Sequence, residues 1–448
     1  MDYTSYKHLK DQLPNGFCLA KWYQVTVDLT RAQNHSCHHP ERHSIPEAEL
    51  KQSIHALHNT TFKKSQRAKM LKGERPEECS YCWNIEDNAP NEISDRLIKS
   101  NDPWAYPFLE KTLALDANEN IHPTYLEVIF SNECNLNCMY CMADVSSSIA
   151  NEMKKHGPYP VLSNQHRMPR NPEISGENKY VEAFWKWLKE IAPTLQVLRI
   201  TGGEPLLAKD TIILFNYLLQ NPMPNLELAI NTNLSFSEKN FSKYLFHMKE
   251  LLGKKVINKL SIYTSLDTFG EEASYIRQGL NIDHFLKNIA VLKNECPEIE
   301  IVIMCTYNIL SISNFKKLIQ WIEEEKKHGT KITLDISYLK DPEYLRANLA
   351  TDDLFETVKN DLHLMRTSSH FSNYETQKFE RIVQWIYETK NHSDNLLYRR
   401  DFYHFTNEFD LRFNKTFSHI FPKYNAFYNL CKKSSFWFDL NNSKSSSI

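Results

Sequence analysis

Between residues 125 and about 340 of this 448-residue chain, six short β-rich runs alternate with helical stretches. No other feature limits the fold as strongly. The runs read "YLEVIF", "VLRIT", "LELAINTN", "KLSIYTSLD", "EIVIMCTYN" and "KITLDISYL". Between them lie helix candidates such as "VEAFWKWLKEIA", "DTIILFNYLLQN" and "FKKLIQWIEEEKKH". Strands alternating with helices predict βαβ units, hence an α/β fold with a parallel sheet. Six such units make either an open doubly wound sheet or an incomplete barrel. Both gather functional residues at the C-terminal ends of the strands.

The flanks read differently. "CLAKWYQVTVDL" predicts a strand, and "AELKQSIHALHNTTFKKSQRAKMLKG" a helix stopped by Gly73. Residues 146 to 180 are polar and contain prolines, as expected of an insertion covering the site. After residue 350 the pattern is helical and aromatic-rich, ending in a Ser-rich tail. A chain this long outgrows one small core. Its 41% hydrophobic and 24% charged residues exclude disordered and collagen-like classes. A net charge of −2 gives no overall bias toward nucleic acid or anionic membranes. The N-terminus shows no apolar secretory segment, and no apolar run reaches the ~18 residues of a membrane span. A cytoplasmic location is therefore expected, where clustered cysteines serve as metal ligands or catalytic thiols more often than as disulfides. Cys296, Cys305 and Cys431 stand apart and read as small buried hydrophobes.

The loop "CNLNCMYC" follows the first predicted strand and carries Cys134, Cys138 and Cys141. Soft-metal sites usually close with four ligands. Three thiols therefore read as a metal site missing a ligand, a metal site left open, or three buried thiols. The CX3CX2C spacing, Tyr140 just before the third cysteine, and "TGGEP" after the second strand together resemble the radical S-adenosylmethionine (SAM) superfamily, over about residues 122 to 340. The resemblance implies a partial (β/α)6 TIM-like barrel and a [4Fe-4S] cluster on the three thiolates, with one iron left for SAM. It implies reductive cleavage of SAM to a 5′-deoxyadenosyl radical that takes hydrogen from substrate, so that these three cysteines are the catalytic set. It further implies that Gly202 and Gly203 let the backbone approach SAM, that Glu204 accepts from its ammonium, and that Pro205 sharpens the turn. By the same resemblance Tyr140 shields the cluster, Asn231 and Asn233 reach the ribose, Ser265 and Arg277 hold the SAM carboxylate, and Asn308 lies on the ribose side. Capping or surface pairing is the plain alternative for the Asn, Ser and Arg positions, and Asp267 stands between a ligand role and a helix cap.

Cys18, Cys37, Cys79 and Cys82 form a second set, enough to close an iron–sulfur cluster or a structural zinc site. With "LKGERPEECSYCW" after a helix, this part resembles the twitch module, a shortened relative of the SPASM domain that holds an auxiliary [4Fe-4S] cluster. In many relatives that module follows the barrel, whereas here it precedes it. The span between Cys18 and Cys37 lacks the usual hairpin glycine and is His-rich, which leaves zinc open. His35, His38 and His39 read as surface or substrate-contact residues. The expected organisation is a twitch-like module over residues 1–121, the barrel over 122–345, and a helical region with a disordered tail over 346–448.

The resemblance implies an oxidoreductase or modifying enzyme acting on a small molecule or peptide, fed by a one-electron donor such as flavodoxin or ferredoxin. An inactive iron–sulfur or zinc-stabilised scaffold is the alternative from another class. Nucleic-acid modification is weaker, because no basic, aromatic-interleaved stretch stands out. "KKHGPYPVLSNQHRMPRNP" is the segment expected to touch substrate, with a solvated loop as its plain reading.

Overall fold

The computed structural model describes residues 12–88, 93–174 and 176–445. Eleven strands occur among them: β1 (Gln24–Asp28), β2 (Gln33–His35), β3 (His43–Ser44), β4 (Tyr125–Ile129), β5 (Asn137–Cys138), β6 (Val197–Thr201), β7 (Met223–Thr232), β8 (Ile257–Ser265), β9 (Arg277–Gln278), β10 (Glu300–Tyr307) and β11 (Ile332–Tyr338). The six predicted strands are β4, β6, β7, β8, β10 and β11. The described residues form a mixed α/β structure with parallel strands and a helical C-terminal region. Two compact units divide the chain: residues 1–132, 171–230 and 250–260, and residues 133–170, 231–249 and 261–448.

In the first unit the strand order is β7-β6-β4-β1-β2-β3. The strands β7, β6, β4 and β1 run parallel, and β2 and β3 add antiparallel at the end. One face is aliphatic, with Val25, Val27, Leu126, Val128, Leu198 and Ile200 buried. The other carries a polar row in register across four strands, His35–Thr26–Glu127–Arg199. The helix Lys179–Ile191 buries Tyr180, Ala183, Phe184, Trp187, Leu188 and Ile191, the 3–4 spacing of one helical face. Asn178 caps it, accepting from the amides of Tyr180 and Val181.

Two N-terminal expectations are corrected. The segment predicted as one strand from Cys18 is helical over Ala20–Tyr23 and becomes a strand only at Gln24. Phe17 and Trp22 stack at 4.6 Å within a core cluster that includes Leu19, Met70 and Trp104, and this packing overrides local β-propensity. The single predicted helix is three pieces, Glu47–Gln52, the 3₁₀ turn Ile54–Leu57, and Thr61–Leu71. Ser53 is extended and accepts from the His55 amide, and Thr60 caps the last piece; both favour helix ends over helix interiors. Gly73 does end that piece, at φ +77°.

In the second unit β8, β10 and β11 run parallel, and β5 pairs antiparallel with β9. Helices Asp352–Thr367, Asn373–Thr389, Asn395–Phe413 and Asn425–Ser445 make up the C-terminal region. Phe409 of the third of these helices and Phe421, in the connection to the fourth, pack around Tyr275 at 5.2 Å and 5.3 Å between ring centres. The last helix runs through Ser445, and the remainder of the tail expected to be disordered lies outside the described residues. No helix among the described residues is long and apolar enough to cross a membrane.

Candidate functional site

The loop carrying Cys134, Cys138 and Cys141 belongs to the second unit, and all three thiols are half-buried. Leu136 and Met139, between the cysteines, point into the core and anchor the loop. Its ends are tied by hydrogen bonds: the Cys134 amide donates to Ser147 Oγ at 3.1 Å, and Ser148 Oγ donates to the Cys134 carbonyl at 2.6 Å. In its middle, β5 sets Cys138 directly opposite Arg277 of β9, and the Met139 amide donates to the Ile276 carbonyl at 2.8 Å.

Arg277 and Asp267 are buried together, Asp267 completely. Arg277 Nη2 donates to Asp267 Oδ1 at 3.0 Å, and Nε lies 2.9 Å from Oδ2. The Tyr140 hydroxyl donates to Asp267 Oδ2 at 2.8 Å, and the Thr306 amide to Oδ1 at 2.9 Å. Arg277 Nη1 is left facing Cys138 Sγ, at 3.8 Å. The fork expected to hold a ligand's carboxylate thus holds one of the chain's own.

The segment expected to touch substrate braces the cysteine loop instead of lying in solvent. Arg167, 2% exposed, donates to the carbonyls of Cys138 at 2.7 Å and Met139 at 2.9 Å. It is held in turn by Glu152 at 2.6 Å, a carboxylate shared with Arg412 and the Tyr159 hydroxyl. His166 Nε2 lies 3.0 Å from the Tyr140 carbonyl, and burial lowers its pKa.

The other expected residues are placed as follows. Asn233 Nδ2 donates to Asn135 Oδ1 of the cysteine loop at 2.8 Å, and its own Oδ1 accepts from the Ser235 amide. Asn231 stands beside it near the end of β7, and Ser265 closes β8. Asn308 caps the turn Ile309–Ser313 and donates to the Thr306 carbonyl, so both ends of its amide are engaged within the chain. In the first unit Gly202 adopts φ +135°, where an added Cβ would lie 2.6 Å from the Ser131 carbonyl oxygen. The Gly203 amide donates to that same oxygen. Glu204 is buried and caps Pro205–Leu207, its Oε1 accepting from the Leu206 amide at 3.0 Å.

Cys18, Cys37, Cys79 and Cys82 line one small pocket of the first unit, with His39, Pro40, Trp83, Asp95, Arg96 and Lys99. Cys79 ends the turn Glu77–Cys79 and Cys82 sits on the helix Ser80–Asn88, which projects both to one side. Burial pushes the Cys79 thiol up to about 12 and raises those of Cys37 and Cys82, and the neighbouring sulfurs push further in the same direction. Lys21, itself buried, pairs with Glu78 at 2.5 Å and is drawn toward the charge of Cys79 and Cys37. His39 pairs with Asp95 and stacks on Tyr81 at 3.7 Å, while burial drives His35 to about 4 and His38 to about 3. Among the described residues no three His, Cys, Asp or Glu side chains are grouped as ligands of a single metal ion.

The donor chemistry of the three-cysteine loop fits a soft metal cluster. Cys141 is pushed up to about 12, by burial first and then by Cys138 beside it. Such thiols ionise together only when cationic metal compensates them, and the Arg277 guanidinium adds a donor aimed at sulfur.

Residues 128–322 match the family model of the Radical SAM superfamily. Among curated proteins, a GTP 3′,8-cyclase of Campylobacter jejuni subsp. jejuni is 29% identical over 180 residues, 38% of this chain and 48% of that protein. A GTP 3′,8-cyclase of Sulfurimonas denitrificans is 24% identical over 216 residues, 48% of this chain and 56% of that protein. The chain spans about half the length of these relatives. Among solved structures, Streptococcus suis SuiB bound to S-adenosylmethionine aligns over 80% of this chain and 72% of that one, at 15% identity and a TM-score of 0.37. Residues 128–322 thus match a radical SAM domain, and the chain is similar to enzymes named GTP 3′,8-cyclase.

Proposed function

We propose that this chain is a radical SAM enzyme that holds its catalytic cluster on Cys134, Cys138 and Cys141 and abstracts hydrogen from a small-molecule or peptide substrate. The observation that carries this reading is a loop of three half-buried thiols, pinned at both ends and braced by Arg167 and Arg277. When bound, the cluster and SAM supply one-electron cleavage of SAM and, from it, a 5′-deoxyadenosyl radical. The chain's own residues do the positioning. Met139 and Leu136 fix the loop, and Tyr140 is held by Asp267. Gly202 and Gly203 are assigned to the close backbone approach that a bound methionine needs, and Glu204 to its ammonium. Asn231 and Ser265 remain the residues assigned to the ribose and carboxylate.

The pocket of Cys18, Cys37, Cys79 and Cys82 is assigned to an auxiliary [4Fe-4S] cluster. Such a cluster suits net oxidation or cross-linking, because it can take the electron that a substrate radical gives up. A small donor such as a flavodoxin or ferredoxin would supply the electron that starts the reaction.

The test uses the full chain, reconstituted anaerobically with iron and sulfide. It is expected to hold about eight irons, four per cluster, and to release 5′-deoxyadenosine from SAM under reduction. Replacing Cys134, Cys138 and Cys141 with Ala should abolish that release. Cys79→Ala with Cys82→Ala should halve the iron while leaving SAM cleavage intact. Undiminished 5′-deoxyadenosine from the triple variant would overturn the catalytic assignment. Four irons and one zinc in the wild type would overturn the auxiliary cluster alone.

A further inference from the structure

We infer that Arg277 serves the cluster sulfur of Cys138, as a fixed hydrogen-bond donor that raises the reduction potential of the catalytic cluster, and does not bind the SAM carboxylate. This rests on the assignment of Cys134, Cys138 and Cys141 to a [4Fe-4S] cluster. Two independent features aim the side chain. The backbone pairing of β5 with β9 sets Arg277 opposite Cys138, so both residues point to the same side of the ladder. The buried carboxylate of Asp267 then accepts from Nη2 and ion-pairs with the guanidinium, leaving Nη1 directed at Sγ from 3.8 Å.

The rest of the arrangement removes freedom from this donor. Asp267 is fixed by the Tyr140 hydroxyl and the Thr306 amide, and the guanidinium carbon lies 5.4 Å from the centre of the Tyr140 ring. The preceding turn is held through Tyr275, whose hydroxyl donates to Asp410 Oδ1 at 2.8 Å. To reach a ligand's carboxylate with its fork, Arg277 would have to abandon Asp267 and leave a buried, uncompensated charge, which is strongly unfavourable. An N–H donor on a cluster sulfur stabilises the reduced form, which carries one more electron, and so raises the potential. Arg277 is thus a positioning and tuning residue.

The experiment is a redox titration of the reconstituted full chain followed by electron paramagnetic resonance, without SAM. The catalytic cluster is identified as the one whose reduced signal changes when SAM is then added. Two variants are compared with wild type. Arg277→Lys keeps the ion pair but loses the arm on sulfur, and Arg277→Met with Asp267→Asn removes both charges together, so that neither is stranded. In each, the reduced-to-oxidised ratio at the wild-type midpoint should fall about tenfold, with the dissociation constant for SAM changed less than about threefold. An unchanged midpoint in both variants overturns the inference, and most plainly so if SAM binding weakens tenfold or more. Absence of any SAM-responsive signal in the wild type would instead overturn the cluster assignment beneath it.

Discussion

Asp361 lies on the helix Asp352–Thr367, 3% exposed, and its Oδ2 has no hydrogen-bond partner among the described residues. Burial raises its pKa from the ordinary 3.8 to about 7, with Lys316 opposing the rise only in part. Unfolded, the group ionises near 3.8; folded, it keeps its proton until about 7. Between those values the unfolded chain releases a proton that the folded chain retains, so stability falls as pH rises through the window and stays low above it. Asp361→Asn should flatten this slope and leave the variant more stable than wild type at pH 8, checked by urea denaturation at several pH values between 5 and 8. The residue scale is also where the sequence is least informative about partners. Glu204 and Asn308 stand where their motifs end, but that each spends side-chain atoms on a helix cap follows from chain geometry that no motif encodes. Asp267 lies ten residues from Arg277 in sequence and shows no spacing that links the two. Arg167 and His166 sit in a segment whose polar composition reads as solvent-facing, yet both are buried against the cysteine loop.

Turns and short ladders carry the site at the scale of elements. Gly202 is the tightest of them: its φ of +135° is open chiefly to glycine, and a Cβ would lie 2.6 Å from backbone oxygen that cannot rotate away. Gly202→Ala should therefore cost about 2 kcal/mol or more of stability and displace the Gly202–Glu204 turn, weakening SAM binding. Gly157 is the natural control, because it also has positive φ, +76°, but nothing within 4 Å of an added Cβ. Gly157→Ala should cost only the backbone strain, about 1–3 kcal/mol, with SAM binding intact; SAM binding weakened equally in both variants would count against the steric account. The six core strands were readable because β-branched runs bounded by helical periods leave little choice of element. What could not be read was where tertiary packing breaks a local pattern. The Ala20–Tyr23 helix owes its form to the Phe17–Trp22 stack, and the two residues of β5 become a strand only because β9 meets them 139 positions later.

For the molecule as a whole, the N-terminal segment is tied into the main sheet by β1, which runs parallel to β4 along all five residues of that strand. The sequence signals a strand there but not its neighbour, since a pairing across about a hundred residues leaves no local trace. Without β1, the backbone of β4 would be bare on one side, between Leu126 and Val128 on one face and Glu127 on the other. A bare, mostly apolar parallel strand is a template for other chains. The N-terminal segment is therefore a guard against self-association as well as a carrier of cysteines. A fragment starting at residue 122, trimmed to the radical SAM region and the C-terminal helices, is expected to elute as large soluble aggregates or to precipitate, with light scattering as the check; a monomer that unfolds cooperatively would show that the β4 edge needs no cover. In evolutionary terms, a lineage that lost the four N-terminal cysteines would still be under pressure to keep the strand that lies between the first two of them.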